Sequence, residues 1–115
     1  MSTSTEWIEK GNDALAVGEL HEAVRCYERA IQLDSQNVDA WQALAMAHYK
    51  LSHYSQAAEA IQKAIALNTN DPVLWTTLSM IEMKLGHIEA AESASAKSRI
   101  LSWGGKLSST QTHHP

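Results

Sequence analysis

Trp7, Trp41 and Trp75 stand 34 residues apart, twice over. Ala23, Ala57 and Ala91 repeat the same step, and so do Leu33, Leu67 and Leu101. A self-similarity of this period marks stacked helical hairpins, in which each unit buries its apolar face only against a neighbour. Few other constraints reach so far, because the period sets the element type, the number of units and their order in space. At 115 residues, with Trp opening each of three periods, the chain has room for three units and a short tail.

Composition agrees. The chain is 44% hydrophobic with no Phe and only 2 Pro, which suits an Ala-rich helical protein. Net charge is −4, so a nucleic-acid footprint is not expected. Residues 1–37 carry seven acids and three bases, whereas residues 72–115 carry three acids and four bases. This reads chiefly as a solvated surface, with head-to-tail association or a basic partner as the alternative. Cys26 is the only cysteine, so no internal disulfide forms, and it reads as a small buried hydrophobe. Residues 1–6 hold no apolar signal region, and no apolar run approaches a membrane span. A soluble, cytoplasmic setting is the expectation.

Breaker residues divide the units. Helix A of the first unit runs from Ser4 to about Val17 and is stopped by Gly18; helix B runs from Leu20 to Leu33. The second unit places helix A over Val38 to Leu51, a turn at Ser52 and His53, and helix B over Tyr54 to Leu67. In the third, Asp71 caps and Pro72 opens a helix A that ends near Leu85. Helix B then runs from Ile88 to about Leu101. Leu20, Tyr54 and Ile88 are expected to fill the hairpin ends. The segment 106–115 reads as a disordered tail.

These residues carry a family resemblance. Trp7, Gly11, Ala14, Gly18, Ala23, Tyr27 and Ala30 match the motif of the tetratricopeptide repeat family. Trp41, Leu44, Ala45, Ala57, Ile61 and Ala64 match it again, and Trp75, Leu78, Gly86 and Ala91 a third time. The resemblance implies an all-α, right-handed solenoid of three helix-turn-helix hairpins: 4–37, 38–71 and a degenerate terminal repeat at 72–105. The motif proline is replaced by Ser35 and Thr69, and the third repeat carries Ser95 and Ser98 where larger or apolar residues belong. That polar side of the last helix is expected to end the array, with Ile100, Leu101 and Trp103 left to bury.

Such folds present a concave face built mostly from helix A, and they bind protein segments. Three ladders are expected on it: Asn12–Met46–Met80, Leu15–Tyr49–Met83 and Ala16–Lys50–Lys84. With Ile8, they form an apolar, methionine-bearing strip flanked by Lys50 and Lys84. Methionine adapts to varied apolar side chains. The partner expected is therefore a peptide or amphipathic helix of another protein. Co-chaperones of this family grip an acidic chain terminus with Lys, Asn, Asn, Lys and Arg. The matching positions here are Ile8, Asn12, Ala43, Val73 and Thr77, of which only Asn12 agrees, so that mode is not expected. The rival reading is a homo-oligomerisation unit joined through Ala91, Ala94, Ser95, Ser98 and Trp103, as a weak homodimer.

Nothing points to chemistry. His53 and His87 lie one repeat apart at turns and were candidates for neighbours, but two imidazoles make a weak metal site. His48 reads as a packed core histidine. No nucleophile motif, phosphate loop or carboxylate pair is present, so no enzyme, cofactor or metal is expected.

Overall fold

The computed structural model describes residues 3–105. It contains six helices: α1 (Ser4–Ala16), α2 (Leu20–Leu33), α3 (Val38–Lys50), α4 (Tyr54–Leu67), α5 (Pro72–Lys84) and α6 (Ile88–Ser102). Consecutive pairs form three antiparallel hairpins, and each hairpin stacks on the next through α2 with α3 and α4 with α5. The result is an all-α solenoid of 55 × 31 × 20 Å. The expected tail at 106–115 lies outside the described residues.

The helix starts follow from local chemistry. Thr3 opens α1 with a capping box: its hydroxyl accepts from the Glu6 backbone N–H, and the Glu6 carboxylate accepts from the Thr3 N–H. Asn37 caps α3 and Asp71 caps α5 through their side chains. Three helices differ slightly from the sequence expectation. Val17, Leu51 and Leu85 are C-caps rather than last helical residues. The chain turns left-handed immediately after each, at Gly18 (φ 82°), Ser52 (φ 65°) and Gly86 (φ 82°). Ser52 thus does a glycine's work at the second turn.

The hairpins are held by paired volumes where α-helices cross. Gly11 faces Tyr27, and a Cβ on Gly11 would meet the Tyr27 ring. The same two positions one repeat on are Ala45 and Ile61, both fully buried. In the third repeat they are Ser79 and Ser95, whose hydroxyls bond at 2.9 Å. Ala23, Ala57 and Ala91 are all fully buried beside these crossings. A large residue on helix B therefore accompanies a small one on helix A, and the third hairpin exchanges this packing for hydroxyls. Thr76 and Ser98 meet at 2.7 Å, Ser98 donates to the Pro72 carbonyl, and Ser79 donates to the Ala91 carbonyl.

The repeated tryptophans pin the repeats together. Trp41 Nε1 donates to the Ser35 carbonyl at 2.9 Å, and Trp75 Nε1 to the Thr69 carbonyl at 2.7 Å. Both acceptors lie in the polar turn that joins a repeat to the one before it. Those are the residues that stand in place of the motif proline.

The two end faces are polar where interior faces are apolar. Leu44 and Ala47, and Leu78 and Ile81, are covered by the preceding repeat; their first-repeat counterparts are Lys10 and Asp13. Val24, Tyr27 and Ile31, then Ala58, Ile61 and Ile65, pack into the core. Their third-repeat counterparts are Glu92, Ser95 and Arg99, around a shallow depression. Of the residues expected to need burial, Leu101 is buried, whereas Ile100 and Trp103 are exposed. Ile88 is also exposed, unlike the half-buried Leu20 and Tyr54 at its position.

Gly11→Ala should lower stability by about 2 kcal/mol, because the new methyl displaces a fully buried ring. Adding Tyr27→Ile should recover part of this loss by recreating the second repeat's pair. Urea denaturation of the single and double variants checks both signs.

Candidate functional site: a cleft on the concave face

The first and third helices of the stack, α1 and α3, present a cleft of about 340 Å³. It is lined by Ile8, Asn12, Leu15, Ala43 and Met46, with Tyr27, Asp39 and Gln42 completing it. Ile8, Leu15, Ala43 and Met46 are half-buried, and the first three pack against the core. Asn12 is exposed at the lip.

Tyr27 reaches the site from behind, out of α2. It is fully buried, and its phenol donates to Asn12 Oδ1 at 2.6 Å. Burial pushes the Tyr27 phenol above its ordinary pKa, with a smaller contribution from Cys26, which keeps it a donor at neutral pH. Tyr27 takes the oxygen side of the Asn12 amide, so the Nδ2 side is a donor group at the cleft lip. Reading the concave helices alone misses Tyr27. Its signal was the Gly11–Tyr27 motif pair, which places the ring under α1.

The nine residues expected to form one strip are not brought into one cleft. Ile8, Asn12, Leu15 and Met46 meet there. Tyr49 turns against Tyr54, edge to face with ring centroids 5.5 Å apart. Met80 and Met83 are 39% and 51% exposed, and Met83 borders the terminal depression beside Ser79, Glu92 and Arg99. Lys50 and Lys84 are exposed in the last turns of α3 and α5, where a cation also complements the helix dipole. Equivalent positions repeat in sequence but meet different neighbours along the stack.

The clamp-like positions do not assemble a cationic grip. Ile8 and Ala43 are apolar walls of the cleft. Val73 is 54% exposed, and Thr77 is buried with its hydroxyl donating to the Val73 carbonyl.

The small residues of α6 lie largely within the third hairpin. Ala91, Ala94 and Ser98 are buried, and Ser95 bonds to Ser79 of α5. Ala91, Ala94 and Ser98 thus pack inside the third hairpin, while Ser95 also borders the terminal depression. Trp103, 81% exposed, remains from the surface expected to join two copies.

Other reactive groups are accounted for by packing. Cys26 is 4% exposed, and burial pushes its thiol above the usual range, with the Glu22 carboxylate adding to it. His53 does not neighbour His87: its Nδ1 lies 3.3 Å from His48 Nδ1, while His87 Nδ1 lies 3.2 Å from Glu82 Oε1. His48 is buried and bonded, as expected for a core histidine. Among the described residues, no group of three or more His, Cys, Asp or Glu is arranged to hold a metal ion. No described helix is long and apolar enough to cross a membrane.

Comparison with known proteins agrees with this fold. The tetratricopeptide repeat profile matches residues 8–72, more than half of the chain. The chain belongs to the tetratricopeptide repeat family. Among solved structures, it is similar to the second repeat domain of Spaghetti (RPAP3), bound to the HSP90 peptide SRMEEVD. The TM-score is 0.83 at 23% identity, covering 87% of this chain and 93% of that one. The first repeat domain of the same protein, bound to the same peptide, gives 0.84 at 23% identity over 86% of this chain and 79% of that one. MamA gives 0.86 at 18% identity over 89% of this chain, which spans 60% of that one. At these identities the likeness is one of fold. The fold is that of a protein-interaction module.

Proposed function

We propose that this protein is a small cytoplasmic adaptor that holds an apolar segment of a partner protein in its concave cleft. One observation carries the reading. Four half-buried apolar side chains, Ile8, Leu15, Ala43 and Met46, wall a cleft whose lip is polar at Asn12, Asp39 and Gln42. An apolar wall with a few polar groups at the lip is the make-up of a peptide or ligand site. Met80 and Met83 add exposed apolar surface on α5, outside that cleft, and Lys50 and Lys84 add exposed positive charge on α3 and α5.

Met46→Glu with Met80→Glu should weaken partner capture by more than tenfold in a pull-down from the host lysate, with the helical fold retained by circular dichroism. Retained capture by the folded double variant removes the assignment of this face.

The solved relatives bound to SRMEEVD raise a co-chaperone reading for this chain. The residues argue against it. Three clamp positions that carry cations in such co-chaperones are Ile8, Val73 and Thr77 here. Each charged hydrogen bond to a carboxylate contributes about 1.5–3 kcal/mol. Titration of SRMEEVD into this protein, followed by calorimetry, should therefore give no saturable binding up to millimolar peptide.

Self-association is a second reading, favoured by the exposure of Trp103. With the small residues of α6 largely packed inside their hairpin, Trp103 alone offers little area. Light scattering at micromolar concentration should read a monomer, and a dimer lost on Trp103→Ala would favour self-association instead.

A further inference from the structure

Positions 14, 48 and 82 stand one repeat apart, and positions 19, 53 and 87 follow each by five residues. The pairs are Ala14–Glu19, His48–His53 and Glu82–His87. Each straddles a hairpin turn in the same way. The backbone N–H of the second residue donates to the carbonyl of the first, at 2.9, 2.8 and 2.9 Å in turn. Two of these three like backbones carry a side-chain contact across the turn, each of a different kind. In the second turn His48 Nδ1 lies 3.3 Å from His53 Nδ1, with ring centroids 5.5 Å apart. In the third turn His87 Nδ1 lies 3.2 Å from Glu82 Oε1.

The two contacts answer protons differently. A bond between two imidazole nitrogens needs one N–H and one lone pair. A first proton is tolerated, because charged His53 can donate to neutral His48. A second proton sets two N–H groups and two positive charges against each other. The Glu82–His87 contact becomes an ion pair when His87 is protonated. We propose that the second and third hairpin turns carry latches of opposite acid response: acid breaks His48–His53 and strengthens Glu82–His87.

The surroundings favour this. His48 is 7% exposed. It borders a cleft of about 630 Å³ that also holds Glu28 from α2 and Glu59 and Lys63 from α4. His21, also on α2, stands with its ring centroid 6.4 Å from that of His53. Burial pushes the His48 imidazole below its ordinary pKa, His53 adds to the effect, and Glu28 opposes it. The second turn also has the least reserve. Its left-handed position is Ser52, where the others have glycine. Tyr49 and Tyr54, which pack edge to face, are the residues next to the latch on either side.

The direction with pH follows. The folded pKa of His48 lies below its unfolded value, near 6.5. The unfolded chain therefore takes up the extra proton first. Stability from this pair is complete above about pH 6.5 and falls as pH drops below it, by up to about tenfold in the folding constant per pH unit.

Urea unfolding of the full chain from pH 7.5 to 5.0 tests the proposal on wild type, His48→Ala and His48→Glu. Alanine is the first repeat's own residue at this position, and glutamate is the third's. Relative to His48→Ala, wild type should lose folding constant as pH falls below about 6.5, with a slope of at most about tenfold per pH unit. His48→Glu, with the third repeat's pair, should hold level or gain relative to His48→Ala. A wild-type difference that is flat across this range overturns the proposal. If the glutamate variant does not fold, the His48 Cε1–H resonance in wild type, assigned by its loss in His48→Ala, still decides. Titration below the other histidines supports the latch, and titration at or above pH 6.5 overturns it.

Discussion

The structure depends on how closely helix A and helix B of each hairpin approach. Gly11 lets the Tyr27 ring lie flush under α1, and fully buried Ala45 and Ile61 occupy the same crossing in the second hairpin. That approach leaves the outer side of each hairpin flat enough to stack on the next. Val24, Tyr27, Ile31, Ala58, Ile61 and Ile65 then have partners. A wider crossing would break both contacts together, because the residues that close one hairpin also face its neighbour. Tyr27 shows the coupling most plainly: its ring fills the α1–α2 crossing while its hydroxyl orients Asn12 at the concave surface.

The same economy explains where the protein is polar. Interior docking faces are apolar; the first carries Lys10 and Asp13 instead, and the last Glu92, Ser95 and Arg99. Terminal repeats with polar outer faces are what keep a solenoid from stacking on itself. The third hairpin can carry serines at its crossing because they satisfy one another and the α-helix carbonyls, at Ser79, Ser95 and Ser98. What stays apolar and open is the concave cleft between the first two repeats. The proposed binding function rests on that cleft.

The fold was largely legible in the sequence because the small period-34 positions pack the same way each time. Ala23, Ala57 and Ala91 are all fully buried, and the helix boundaries fall within about a residue of the breaker signals. The site was legible only in part. Repeat arithmetic places Asn12, Met46 and Met80 on one face, but it does not show that Met80 lacks the neighbour that Met46 has. It also treats the small face of α6 as open, since a run of Ala and Ser says that something packs closely without saying what. His53 was set beside His87 by period, whereas its partner is five residues back across the turn. Contacts across a turn depend on the left-handed residue at 52, which the sequence disguises as serine.

If stability comes from stacking between neighbours, the middle hairpin, covered on both sides, must be the last to open. Native-state hydrogen exchange read residue by residue addresses this most directly. Amides of α3 and α4 should exchange slowest, at the rate of global unfolding, with α6 and the start of α1 opening at lower free energy. Slowest exchange in α5 and α6, or equal protection in all three hairpins, would contradict an account in which each repeat is held by its neighbours.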